Sequence, residues 1–208
     1  MAISSISDFY SFSLFIFDLD NTIYKEEDYL FQAYKAIAEK FAKNVSSKSE
    51  QDLFQTIKDI YRIRGREKLF DNFLETIKLD NSFIPVCMHI LRSFNPSKTI
   101  EIDKTVKVIL STLKNQEKAV FVLTNGNVEQ QKNKIKNINW TGLDSYLQIV
   151  FANDIEPKPS SAGIEYILNI SKTDKNKAIF IGDSEVDQVC AKNSGIVFIN
   201  VNNLIKLY

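Results

Sequence analysis

The 208-residue chain has only two cysteines and one histidine. Cys87 and Cys190 stand far apart and fit no metal-ligand spacing, which argues against a disulfide framework. They read as reduced core thiols of a cytoplasmic protein. His89, in the apolar stretch "VCMHIL", reads as a structural or surface residue. Net charge is also lacking, because 26 Lys and Arg balance 26 Asp and Glu. No global field therefore draws the chain to nucleic acid or to an anionic membrane, and any anion must be bound locally. The opening "FYSFSLFIF" has no basic region before it and is cut short by Asp18 and Asp20. It reads as the lead-in to a buried strand, neither a signal peptide nor a membrane span. Internal repeats and low-complexity tracts are absent.

What is present is an ordinary globular composition, 44% hydrophobic and with 15 Phe to fill a core. Short apolar runs occupy Leu14–Phe17, Ala119–Leu123, Ile149–Phe151, Ala178–Ile181 and Ile196–Val201. Near-continuous runs of this kind suit strands buried on both faces of a parallel sheet. Helical stripes lie between them: Val106, Ile109, Leu110 and Leu113; Ile164, Ile167 and Leu168; Val186, Val189 and Cys190. Strands alternating with helices predict a doubly wound α/β fold of about five strands. The interval from 25 to 95 differs. Leu30, Tyr34, Ile37 and Phe41 follow helical spacing, as do Leu53, Ile57, Ile60 and Tyr61, and then Leu69, Phe70, Phe73 and Ile77. Ile84–Leu91 adds a further helix, with Pro85 tolerated in its first turn. Residues 1–24 and 96–208 are therefore expected to form an α/β core. Residues 25–95 are expected to form an inserted all-helical cap, with "NPSKTIEID" (95–103) as the return linker.

Ligands of an open parallel sheet bind beyond the carboxyl ends of its strands. Asp18, Asp20 and Thr22 follow the first run; Thr124, Asn125 and Gly126 end the second; Gly182, Asp183, Ser184 and Asp187 follow the fourth; Lys158 lies between two prolines in "EPKPS". Asp18 and Asp183 can share a hard divalent cation, and Mg²⁺ is held readily by carboxylates, phosphate and water. An aspartate can attack phosphorus to give an acyl phosphate. A second carboxylate can protonate the leaving oxygen and then deprotonate water. The Thr124 hydroxyl and the amides of Asn125 and Gly126 can hold phosphoryl oxygens, and Lys158 can neutralise shared charge. Taken singly, the same residues also suit a helix N-cap, a tight turn and a surface lysine.

Taken together they resemble the four motifs of the haloacid dehalogenase-like hydrolases. These are "DLDNT" (18–22), "LTNG" (123–126), "KP" (158–159) and "GDSEVD" (182–187), in the family's order. The resemblance implies a Rossmann-like core with a helical cap of the type inserted after the first motif. It implies Asp18 as nucleophile and Asp20 as general acid/base, Thr124 on phosphate, and Lys158 between phosphate and Asp18. Mg²⁺ would be held by the Asp18 carboxylate, the Asp20 carbonyl and Asp183, with Ser184 and Asp187 in support, and Thr22 would help hold the first loop. An acid at Asp20 suits an alkoxide leaving group, so phosphate-ester hydrolysis is expected over carbon–halogen cleavage. A phosphomutase or a non-enzymatic phosphoacceptor would use related residues. The expected partner is a small phosphate ester, not a nucleic acid or a membrane. Its identity and the oligomeric state are not legible. "YRIRGREK" (61–68) reads either as a solvated basic stretch or as a cap loop meeting an anionic leaving group.

Overall fold

The computed structural model describes residue 3, residues 5–43, residue 45 and residues 48–208. Residues 1, 2 and 4 of the expected core and 44, 46 and 47 of the expected cap lie outside the described residues. The strands are β1 (Leu14–Phe17), β2 (Ile100–Glu101), β3 (Ala119–Thr124), β4 (Ile138–Asn139), β5 (Gln148–Phe151), β6 (Ala178–Gly182) and β7 (Val197–Asn200). Five of them form one sheet in the order β5-β3-β1-β6-β7. Every pairing in it is parallel, with Leu14 opposite Ala119 on one side and Ala178 on the other. The chain steps outward from β1 to β3 and β5, then returns to β6 beside β1. The order thus reverses at β1, and a crevice opens at the strand ends there.

The helices are α1 (Ile6–Tyr10), α2 (Glu27–Ala42), α3 (Glu50–Arg64), α4 (Leu69–Thr76), α5 (Ile84–Ser93), α6 (Lys104–Asn115), α7 (Val128–Lys136), α8 (Ala162–Ser171), α9 (Glu185–Ser194) and α10 (Val201–Ile205). Successive strand residues face opposite sides of a sheet. Phe15, Phe17, Val120, Val122, Ile179 and Ile181 pack on one side with Val106, Ile109, Leu110 and Leu113 of α6. Leu14, Ile16, Phe121, Leu123 and Phe180 pack on the other with α8 and α9. Both faces are covered, which is why these strands read as unbroken apolar runs. Cys87 and Cys190 are buried and unpaired.

Between β1 and β2 the described residues form helices, turns and one isolated bridge, Asp20 to Tyr24, but no strand. Helix α2 buries Tyr29, Leu30, Ala33, Tyr34, Ile37, Ala38 and Phe41 along one face. Helix α3 starts at a capping box of Ser49 and Asp52 and stops at Gly65, whose φ of 66° suits glycine. Pro85 sits in the first turn of α5. The apolar cluster of the sheet's first face continues without a break into α2, α4 and α5.

Three features depart from the sequence expectation. The expected linker contains β2, which pairs with β4; strands of two residues carry too little pattern to read. The final run ends one residue early, because Asn200 accepts from the Asn202 amide at 3.0 Å and caps α10. Helix α7 is not anticipated, because its buried face is polar: Gln130, Gln131 and Lys134. A helix without an apolar stripe gives no periodic signal, and Gln131 and Lys134 are buried against the site described next.

Candidate active site

Asp18 follows the last residue of β1, and its amide donates to the Ile181 carbonyl at 2.8 Å. That bond fixes its backbone against β6. Its carboxylate is buried and accepts from Lys158 Nζ at 2.5 Å; the same ammonium donates to Asp187 Oδ1 at 2.6 Å. Lys158 reaches both because Asn125 holds its backbone. Asn125 Nδ2 donates to the Lys158 carbonyl and Asn125 Oδ1 accepts from the Lys158 amide, each at 2.9 Å. The Asn125 side chain is thus a clamp on the lysine loop. The Gly126 amide donates to Asn153 Oδ1 at 2.7 Å. Thr124 ends β3, buried, with its hydroxyl accepting from Gln131 Nε2 at 2.6 Å.

The third carboxylate group comes from β6 and α9. Ser184 Oγ donates to Asp187 Oδ2 at 2.6 Å and accepts from the Asp187 amide at 3.2 Å. This capping box holds Asp187 under the turn. Gly182 is required there, since a Cβ would lie 2.6 Å from Asp187 Oδ2. Asn200 Nδ2 donates to the Asp183 carbonyl at 3.0 Å and ties β7 to the same turn.

One oxygen each of Asp18, Asp183 and Asp187 lie within 4.8 Å of one another. Burial pushes the Asp18 carboxyl up to about 7 against the opposing pull of Lys158, with Asp187 and Asp20 adding to the rise. Burial, and then the Asp187 charge, raise Asp183 to about 6. Two carboxyls lifted by crowding and dehydration are a site short of positive charge, and a hard cation fits it. Asp18 and Asp183 are the natural donors, since both Asp187 oxygens already accept from Lys158 and Ser184.

Asp20 lies in a network that the motifs do not announce. Its Oδ1 accepts from the Tyr24 hydroxyl at 2.5 Å. Its Oδ2 accepts from Lys134 Nζ at 2.7 Å and Gln131 Nε2 at 3.1 Å. Burial alone would raise Asp20, but the Lys134 charge and the three hydrogen bonds outweigh it and hold the carboxyl below its ordinary value. Lys134 Nζ also donates to Glu26 Oε1 at 2.9 Å, and that oxygen accepts from Arg66 Nη1 at 2.8 Å. Gln131 and Lys134 are three residues apart on α7, one face of a helix. Their signal in the sequence is indirect: four carboxylates at the strand ends against one lysine call for another cation.

Thr22 is buried, and its hydroxyl has no partner among the described residues. The first loop is closed instead by the Ile23 amide donating to the Leu19 carbonyl at 3.0 Å and the Glu26 amide donating to Asn21 Oδ1 at 3.0 Å. A cleft of about 280 Å³ is lined by Asp18, Asp20, Asn21, Arg66, Lys158 and Asp183, among others. Of the basic stretch, Arg64 turns aside to Asn72 at 2.6 Å, and Arg66 reaches the cleft. His89 is exposed.

No helix among the described residues is long and apolar enough to cross a membrane. No curated protein matches the chain by sequence. Solved structures do match its fold. A HAD phosphatase from Thermococcus onnurineus is 19% identical, with 89% of this chain and 84% of that one covered at a TM-score of 0.58. A provisionally named beta-phosphoglucomutase from Thermotoga maritima is 15% identical over 94% and 97% of the two chains, at 0.63. A provisionally named HAD-hydrolase, YfnB from Bacillus subtilis, bound to magnesium, is 17% identical over 90% and 87%, at 0.59. The model of the haloacid dehalogenase-like hydrolase family matches residues 15–201, nearly the whole sheet and all four motifs, and the chain belongs to that family.

Proposed function

We propose that the protein is a Mg²⁺-dependent phosphatase of small phosphate monoesters that works through a phosphorylated Asp18. The observation that carries this reading is the Lys158 ammonium held between Asp18 and Asp187 at the strand ends. A nucleophile needs a cation beside it that also meets the incoming phosphate. In the first step an Asp18 oxygen bonds to phosphorus while the ester P–O bond breaks, and the leaving oxygen takes a proton from Asp20. In the second, water attacks phosphorus, Asp20 takes a proton from it, and the bond to Asp18 breaks. Thr124 and the Asn125 amide hold phosphoryl oxygens, and the Gly126 amide joins them by leaving Asn153 Oδ1. Asp18, Asp183 and the Asp20 carbonyl would hold Mg²⁺, which supplies charge neutralisation. The magnesium in the YfnB structure supports this choice of ion.

Asp20 rests as a carboxylate accepting from three donors, which is its base form. To act as an acid it must take up its proton against the Lys134 charge 2.7 Å away. Residues 25–95 serve as the helical cap over the cleft, with 1–24 and 96–208 as the core.

A phosphate-release assay with Mg²⁺ over sugar phosphates, nucleotides and small acid phosphates tests the reading. Wild type should release phosphate, and Asp18→Asn should not, although it folds. Undiminished release by Asp18→Asn would sink the mechanism. Isomerisation of a sugar phosphate without phosphate release would mark a phosphomutase instead.

A further inference from the structure

We infer that Arg66 receives a second anionic group on the leaving side of the substrate, so that the cleft selects acidic phosphate monoesters. This rests on the phosphatase reading. Two cations line the cleft, Lys158 and Arg66. The Lys158 side chain is 4% exposed and committed to Asp18 and Asp187. The Arg66 side chain is 52% exposed, and only its Nη1 is engaged, leaving Nε and Nη2 without partners among the described residues. A guanidinium presents paired N–H donors in a plane, which matches a carboxylate or phosphate.

Arg66 is also free to leave its present partner. Glu26 is nearly buried, and a lone carboxylate there would be costly. Yet its Oε1 keeps Lys134 at 2.9 Å whether or not Arg66 stays. The arginine can therefore turn to a substrate without stranding a buried charge.

Its position favours the leaving group over the phosphoryl group. The reacting residues stand on strand ends, whereas Arg66 comes from the turn between α3 and α4, where Gly65 and Lys68 have φ of 66° and 47°. It also lines a second cavity of about 260 Å³ with Tyr34, Lys68, Phe70 and Met88. Arg66 is the residue that the cleft and that cavity have in common, so it stands at the cap side of the cleft. Arg64 shares none of this, being tied to Asn72 on the outer surface.

Matched ester pairs differing in one carboxylate test the proposal: 2-phosphoglycolate against 2-hydroxyethyl phosphate, and 3-phosphoglycerate against glycerol 3-phosphate. Wild type should favour the acid in kcat/KM for at least one pair. In Arg66→Met that preference should fall about 10- to 100-fold, the range of a lost charge-assisted hydrogen bond. The loss should lie mainly in KM; Arg66→Lys should keep part of the preference, and Arg64→Met all of it. No preference in wild type, or an equal fall for acid and neutral ester, overturns the proposal. Calorimetric binding of the same two acids with Mg²⁺ to Asp18→Asn, with and without Arg66→Met, reads the contact without turnover. Arg66-dependent binding with no phosphate release from any ester would uphold the contact and refute the phosphatase. Binding indifferent to Arg66 would refute the contact alone.

Discussion

Replacing Lys134 by Met isolates the hidden half of the site. Its ammonium is 1% exposed and lies 2.7 Å from Asp20 and 2.9 Å from Glu26. Removing one partner of a buried ion pair costs about 3–5 kcal/mol. Here the lower end applies, because Glu26 keeps Arg66 and Asp20 keeps Tyr24 and Gln131. For a chain of this size about 3 kcal/mol lowers Tm by roughly 6–12 °C. The loss has a pH signature. Folding holds Asp20 below its ordinary value of 3.8, chiefly because the Lys134 charge overcomes the effect of burial. A depressed carboxyl contributes stability above its unfolded pKa, and loses it as pH falls through the folded one. The deficit of Lys134→Met should thus be full at pH 7 and shrink below about pH 4. Urea unfolding from pH 3 to pH 8 measures it, with the exposed Lys132→Met as control. A deficit under about 1 kcal/mol at pH 7, or one that ignores pH, would refute the reasoning.

Other outcomes follow from the same geometry. Asp18 and Asp183, lifted to about 7 and about 6, bind protons in the folded state that the unfolded chain has released. Without metal, stability should therefore fall as pH rises from about 4 to 7, and Mg²⁺ at 100 times its Kd should restore about 2.7 kcal/mol at pH 8. A Tm indifferent to Mg²⁺ would count against the site as a metal centre. In Gly182→Ala the new methyl must displace Asp187, at a cost of about 1–3 kcal/mol, and should slow turnover by releasing one anchor of Lys158. Wild-type stability and rate in that variant would show that the turn is not tight.

The larger parts of the fold that could be read from the chain carry a period: apolar runs for the sheet, with the site's polar residues at their ends, and a spacing of about 3.6 residues for α2 to α5. The runs at 14–17, 119–123 and 178–181 are apolar because both sheet faces are covered, and each is followed at once by polar residues at the strand end. Residues such as Gln131 and Lys134 were invisible for the opposite reason. Their helix packs polar groups inward, so it shows no stripe, and their partners Asp20 and Glu26 lie 111 and 108 residues away in the chain. Arg66 was legible only as one of several charges. Its difference from Arg64 is a matter of which side of the α3–α4 turn it stands on. The Thr22 hydroxyl has no partner among the described residues, and backbone bonds and Asn21 close the first loop.

In the proposed mechanism Asp18 carries the phosphoryl group. An acyl phosphate is reduced by borohydride to homoserine, which marks the attacking aspartate in the peptide. Given a leaving group that needs no proton, such as p-nitrophenolate, the Asp20→Asn variant should form the intermediate and be slowed only in the second step, so that the phosphorylated enzyme accumulates. Mixed with such a substrate that wild type hydrolyses, quenched and reduced, it should show homoserine at position 18 by peptide mass spectrometry. Homoserine at another aspartate, or a burst of phosphate release with Asp18 unaltered, would contradict the account.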